Sequence, residues 1–128
     1  MYLRFVIAKK DRESARELGI FQAFFDLRND GKLYPYEHEQ YDLIRVWFNE
    51  HLSRPTRFTV SKPPFYRKPR RAICWFKDTA HEHLGWAWSM VAMLQHHHVP
   101  VRMLKTERVG YVVYEDKHQI VAEPFAET

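Results

Sequence analysis

From Tyr2 to Ala8 the chain alternates, placing Leu3, Phe5 and Ile7 on one face and Tyr2, Arg4 and Val6 on the other. A period of two predicts a first strand, and the polar run from Lys9 to Ser14 ends it. From Ala15 the period lengthens: Leu18, Phe21 and Phe25 share one helical stripe, with Ile20, Phe24 and Leu27 beside them. This broad apolar face predicts a helix. Asn29-Asp30-Gly31 stops it, Gly31 being suited to the left-handed cap position. Pro35 opens a second helix where its missing N–H costs nothing. Glu37 and Glu39 fall in its first turn, favourable to the helix dipole. Tyr41, Ile44, Phe48 and Leu52 form its buried stripe, widened by Leu43, Val46 and Trp47. These two helices are expected to pack as a hairpin.

The stretch from Arg70 to His98 forms the expected spine. Ala72-Ile73-Cys74-Trp75-Phe76 is a short continuous apolar run, as in a central strand. Lys77-Asp78 closes it, and Thr79-Ala80-His81-Glu82 has the spacing of a capping box. A helix is expected from there to about His97, stopped by Val99-Pro100. Val101 to Lys105, Tyr111 to Tyr114 and Gln119 to Ala122 read as three further strands, the last two antiparallel about a charged turn. The order predicts one α+β domain over residues 1–128: a two-layer sandwich in which three helices cover a mixed or antiparallel sheet of about five strands.

Composition narrows the class. A chain of 128 residues with 45% hydrophobic and 16% aromatic content folds around a real core. One cysteine suits a reducing compartment. No apolar run approaches the length of a membrane span, and Met1 to Ile7 is too short for a signal peptide, so a cytoplasmic location is expected. Net charge is +4, but it is unevenly placed. Ser53 to Arg71 holds seven basic residues and no acidic one, and subtracting that +7 leaves −3 for the remainder. The same aperiodic segment holds four of the seven prolines. It reads as an extended loop, with or without a short edge strand over Arg57 to Val60.

Two blocks, Ala72-Ile73-Cys74-Trp75-Phe76-Lys77 and Gly110-Tyr111-Val112-Val113-Tyr114-Glu115-Asp116 continuing to Gln119-Ile120-Val121-Ala122-Glu123-Pro124-Phe125, resemble a group of small bacterial proteins without assigned function. The resemblance covers most of the chain. It implies a bacterial or phage origin and nothing about chemistry. In that pattern a glycine follows the histidine that ends the long helix. His98 stands there instead, which puts the usual glycine cap in doubt. Gly85-Trp86-Ala87-Trp88 also departs from it, and an interior glycine weakens a helix by about 1 kcal/mol relative to alanine.

Candidate chemistry centres on the basic segment. Arg57, Lys62, Arg67, Lys68, Arg70 and Arg71, with Arg54, suit phosphate neutralisation and counterion release. Phe65 and Tyr66 between them suit stacking on unpaired bases. A solvated loop, or a face that docks an acidic protein, explains the same residues. His81, His83, His96, His97 and His98 lie on one predicted helix, but His81 and His83 point roughly 200° apart, and His96 is about 22 Å along the axis from His81. That argues against one metal site, and the helix dipole accounts for the C-terminal three. Cys74 reads as a small apolar strand residue rather than a nucleophile. Lys77, Asp78, Thr79, His81 and Glu82 gather at a strand-to-helix junction where a phosphate or an acid–base pair could sit, although a capping box plus surface charge is the favoured account. Trp86 and Trp88 also lie about 200° apart, so one of them, or Trp47, is a candidate apolar anchor for a partner.

The resulting expectation is a non-catalytic protein, without cofactor or metal, that binds DNA or RNA through Arg57, Lys62, Phe65, Tyr66, Arg67, Lys68, Arg70 and Arg71. The alternative is a protein-interaction or regulatory module, including a homodimer, that uses the same segment and an exposed tryptophan. A small enzyme centred on Lys77 to Glu82 comes third.

Overall fold

The structure is a computed structural model that describes residues 1–10, 17–53 and 72–125. Its sheet is built on β1 (Tyr2–Lys10). Along one edge, residues Tyr2 to Val6 of β1 pair antiparallel with β4 (Arg102–Thr106). Along the other, β3 (Ile73–Lys77) takes Tyr2 and Leu3, and the short β2 (Glu17–Gly19) takes Val6 and Lys10. Val6 faces both Arg102 and Gly19, so β2 and β4 must lie on opposite edges. β6 (Gln119–Glu123) then pairs with β3, and β5 (Tyr111–Glu115) pairs with β6. Every described pairing is antiparallel. The sheet has six strands rather than five because β2 is added.

β3 and β4 both run antiparallel to β1 and are therefore parallel to each other with β1 between them. The connection between them is α3 (His81–His96), which must cross the sheet face above β1. α1 (Ile20–Asn29) and α2 (His38–His51) join α3 on that face. The helical layer closes over Phe5 and Phe76 of the sheet with Phe24, Ile44, Phe48, Met90 and Leu94, all buried. The alternate positions, Ile73, Trp75, Ile120 and Ala122, form a second apolar cluster on the opposite face. Leu3 pairs with Phe76, so the strand alternation assigns Leu3, Phe5 and Ile7 to the helical side. The α+β two-layer architecture is the one expected.

Several local details differ from expectation. α1 begins at Ile20, and Leu18 is a strand residue: backbone pairing of Glu17–Gly19 with β1 overrides the helical spacing of its side chain. Ala15 lies outside the described residues. Pro35 opens a 3₁₀ turn, Pro35–Glu37, that runs into α2. α1 and α2 pack on α3 rather than as a self-contained hairpin, touching each other through stacked Phe24 and Tyr41 at 4.4 Å and edge-on Phe21 and Phe48 at 5.0 Å. The Thr79–Glu82 capping box does not form. A turn closed by the Ala80 N–H on the Lys77 carbonyl makes Ala80, not Thr79, the N-cap residue, and Ala80 has no side-chain acceptor.

Helices α1 and α3 end in the same way. After α1, the Gly31 N–H donates to the Arg28 carbonyl and the Lys32 N–H to the Leu27 carbonyl, with Gly31 at φ 67°. After α3, the His98 N–H donates to Gln95 and the Val99 N–H to Leu94, with His98 at φ 61°. Both are Schellman motifs, and only the first has the residue that fits it without steric cost. The missing glycine thus leaves the cap intact but strained, since a left-handed residue with a Cβ costs roughly 1–2 kcal/mol. His98→Gly is expected to stabilise the protein by about 1 kcal/mol and Gly31→Ala to destabilise it by a similar amount, read as shifts in urea-unfolding midpoint.

Candidate functional site

All eight residues expected to contact nucleic acid, Arg57, Lys62, Phe65, Tyr66, Arg67, Lys68, Arg70 and Arg71, lie outside the described residues, as does the edge strand over Arg57 to Val60. Their flanks, Ser53 and Ala72, are described, and both are tied to the β3–β6 part of the sheet. Ser53 is held by Gln119, 2% exposed. Its Nε2 donates to the Ser53 carbonyl at 2.7 Å and to Asp116 Oδ2 at 3.0 Å. Its Oε1 accepts the Cys74 thiol at 3.1 Å. Ala72 precedes Ile73, which pairs with Ala122 three residues beyond Gln119, and Ala72 is itself buried. The buried amide thus holds Ser53, while Ala72 sits at the opposite end of β3, four residues from Phe76, the strand partner of Gln119.

Asp116 organises the turn that presents Gln119. Its Oδ1 accepts the backbone N–H groups of His118 and Gln119 at 2.9 and 3.0 Å, and its Oδ2 accepts the Tyr114 hydroxyl at 2.8 Å. Burial alone would raise the Asp116 pKa, but the donors from His118, Gln119 and Tyr114 outweigh it and hold the carboxyl below its usual 3.8. Tyr114 is shifted the other way, first by burial and then by donating to that carboxylate. Cys74 is half-buried and its thiol donates to the amide oxygen of Gln119.

The histidines divide between the two ends of α3. At its start, His83 is 4% exposed and its Nε2–H donates to the carbonyl of His51, the last residue of α2, at 2.7 Å. The His83 ring stacks on His118 at 4.1 Å and meets Trp47 edge-on at 4.8 Å. At its end, His97 Nε2 lies 2.7 Å from Glu37 Oε1, both side chains being buried. Glu37 also accepts the Tyr34 N–H at 2.9 Å. Burial opposes the Glu37 charge, and the Tyr34 N–H and His97 overcome it, leaving the pKa below 4.5. Glu37 is thus a buried partner rather than a solvated dipole charge. His96 bonds the Tyr36 hydroxyl at 2.8 Å. Among the described residues no group of three His, Cys, Asp or Glu side chains is placed to hold a metal ion.

The strand-to-helix junction does not converge into a site. Lys77 is paired with Glu115 at 2.6 Å, the Asp78 N–H donates to the Met1 carbonyl, and His81 and Glu82 are exposed. Trp88 is 50% exposed and lies edge-on to Phe5 at 4.8 Å, whereas Trp86 stacks on Trp47 at 5.2 Å. Leu43 and Val46, expected to widen the buried stripe of α2, are 53% and 41% exposed. With Trp47 and Trp86 they line an apolar groove of about 560 Å³ edged by Glu39, Asp42 and Glu50. Sequence reasoning missed Gln119, the Glu37–His97 pair and this groove. Nothing in linear spacing pairs residues 60 or more positions apart.

No protein-family model, curated protein or solved structure matches the chain. No described helix is long and apolar enough to cross a membrane.

Two outcomes follow from this geometry. Gln119→Leu removes the donor to the Ser53 carbonyl and the acceptor of the Cys74 thiol and should lower stability by about 1–3 kcal/mol, measured by urea unfolding. His118 has its pKa lowered below 6.5, by burial first and then by the stacked His83. The unfolded chain therefore takes up this proton before the folded one does. The stabilising contribution is complete above pH 6.5 and is lost as pH falls through the folded-state value. Melting temperature should accordingly decline as pH drops below 6.5, and His118→Gln should flatten that decline.

Proposed function

We propose that this protein is a non-catalytic nucleic-acid-binding protein whose contacts come from the Ser53–Arg71 segment. The observation that carries the reading is the partition of charge: +7 in that segment against −3 elsewhere in the chain. Each lysine or arginine set against a phosphate releases condensed counterions, a gain that requires no base-specific geometry. Phe58, Phe65 and Tyr66 interleave aromatic surface with the charges, the combination that favours single strands, where base faces are free to stack. A single cysteine fits a reducing, cytoplasmic setting.

The test is an anisotropy titration with single- and double-stranded DNA and RNA at two salt concentrations. Binding should weaken steeply with salt, the slope falling by about 0.7 to 0.9 for each phosphate contact removed. Replacing Arg67, Lys68, Arg70 and Arg71 with alanine should flatten it, and Phe65→Ala with Tyr66→Ala should cost more affinity on single strands than on duplexes. No binding at low salt, or a slope unchanged in the fourfold variant, would overturn the reading.

A further inference from the structure

The outer face of α2 carries apolar surface that the core does not use. Leu43 and Val46 stand in solvent, and Trp47 beside them is 9% exposed and stacked on Trp86 of α3. Glu39, Leu43, Val46 and Glu50 succeed one another at spacings of four, three and four, so they form one stripe roughly 16 Å long. The apolar pair is at its centre and a carboxylate is at each end. Asp42 on the flank lies 3.7 Å from Arg45. Among the described residues, Glu39 and Glu50 form no ion pair. An exposed apolar patch with a carboxylate at each end is the anatomy of a small interface: the patch supplies burial and the end charges select the sign of the partner.

We propose that this groove docks a basic segment of another protein. An apolar side chain of that segment sits on Leu43, Val46 and Trp86, and lysine or arginine side chains reach Glu39 and Glu50. The stems of those cations would cover indole surface while their heads meet carboxylate, a use of long basic side chains that neutral or acidic segments cannot copy. The carboxylates repel phosphate, so the proposal does not depend on the reading of the basic segment as a nucleic-acid contact.

Two labelled peptides of equal length test the proposal by fluorescence anisotropy: one with leucine flanked by lysine and arginine, the other with glutamate in place of each cation. The basic peptide should bind and perturb tryptophan emission, and the acidic one should do neither. Glu39→Gln with Glu50→Gln should weaken binding by about fivefold to tenfold, and Leu43→Ser with Val46→Ser by at least as much. All four positions are exposed, and circular dichroism checks that each variant keeps the fold. The proposal is overturned if the basic peptide does not bind, if it binds the variants unchanged, or if the acidic peptide binds equally well. It is overturned in favour of a second copy as occupant if the unmodified protein sediments as a dimer that Leu43→Ser with Val46→Ser disperses. Nucleic-acid titration of the same variants reads the other surface independently.

Discussion

Strand β1 uses both edges, with β4 along one and β3 and β2 dividing the other. Its backbone groups thereby gather residues 17–19, 73–77 and 102–106 into one sheet, and Phe5 and Val6 are almost wholly buried at its middle. The route of α3 follows. β3 and β4 are on opposite sides of β1 and parallel to each other, so the helix joining them has to pass over β1. That passage sets Ala87, Met90, Val91 and Leu94 against the sheet. α1 and α2 complete the layer by packing on α3 and need little contact with each other.

Helix ends are where this fold spends its polar side chains. The carbonyl of His51 at the end of α2 would be an orphan acceptor; the buried His83 of α3 supplies its donor. Ser53, two residues on, receives Gln119. The end of α3 is closed by a Schellman motif and by Glu37 reaching His97 from the turn before α2. Most of the histidines that attract attention in the sequence are therefore structural: they join helix ends to neighbouring elements, where a ring nitrogen can serve a group that an aliphatic side chain would leave unpaired.

Charge is segregated as well. The outer face of α2 is acidic around its apolar centre, while seven cations are concentrated in the segment that begins two residues after that helix ends. Stretches of opposite charge in one sequence favour different partners. The groove is proposed to take cationic polypeptide and the basic segment to take phosphate, and charge of each sign would repel the ligand of the other.

Strand and helix periods are local properties, and they are legible without coordinates. β1, α2, β3, α3, β5 and β6 follow from alternation, from the stripe through Tyr41, Ile44 and Phe48, and from turn chemistry at Gly31 and at Asp116. The charge partition is equally a property of the sequence. Local spacing cannot say how wide a face the tertiary structure will cover. Leu43 and Val46 carry the same pattern as Trp47, yet only Trp47 meets α3, because one helix can contact its neighbour along a limited arc. Nor can it say which of two compatible states wins: Leu18 suits a helical stripe, but the unfilled edge of β1 claims it for a strand. The joining of Gln119 to Ser53 and of Glu37 to His97 was decided in three dimensions, since buried polar groups take whichever partner the packed elements bring within reach.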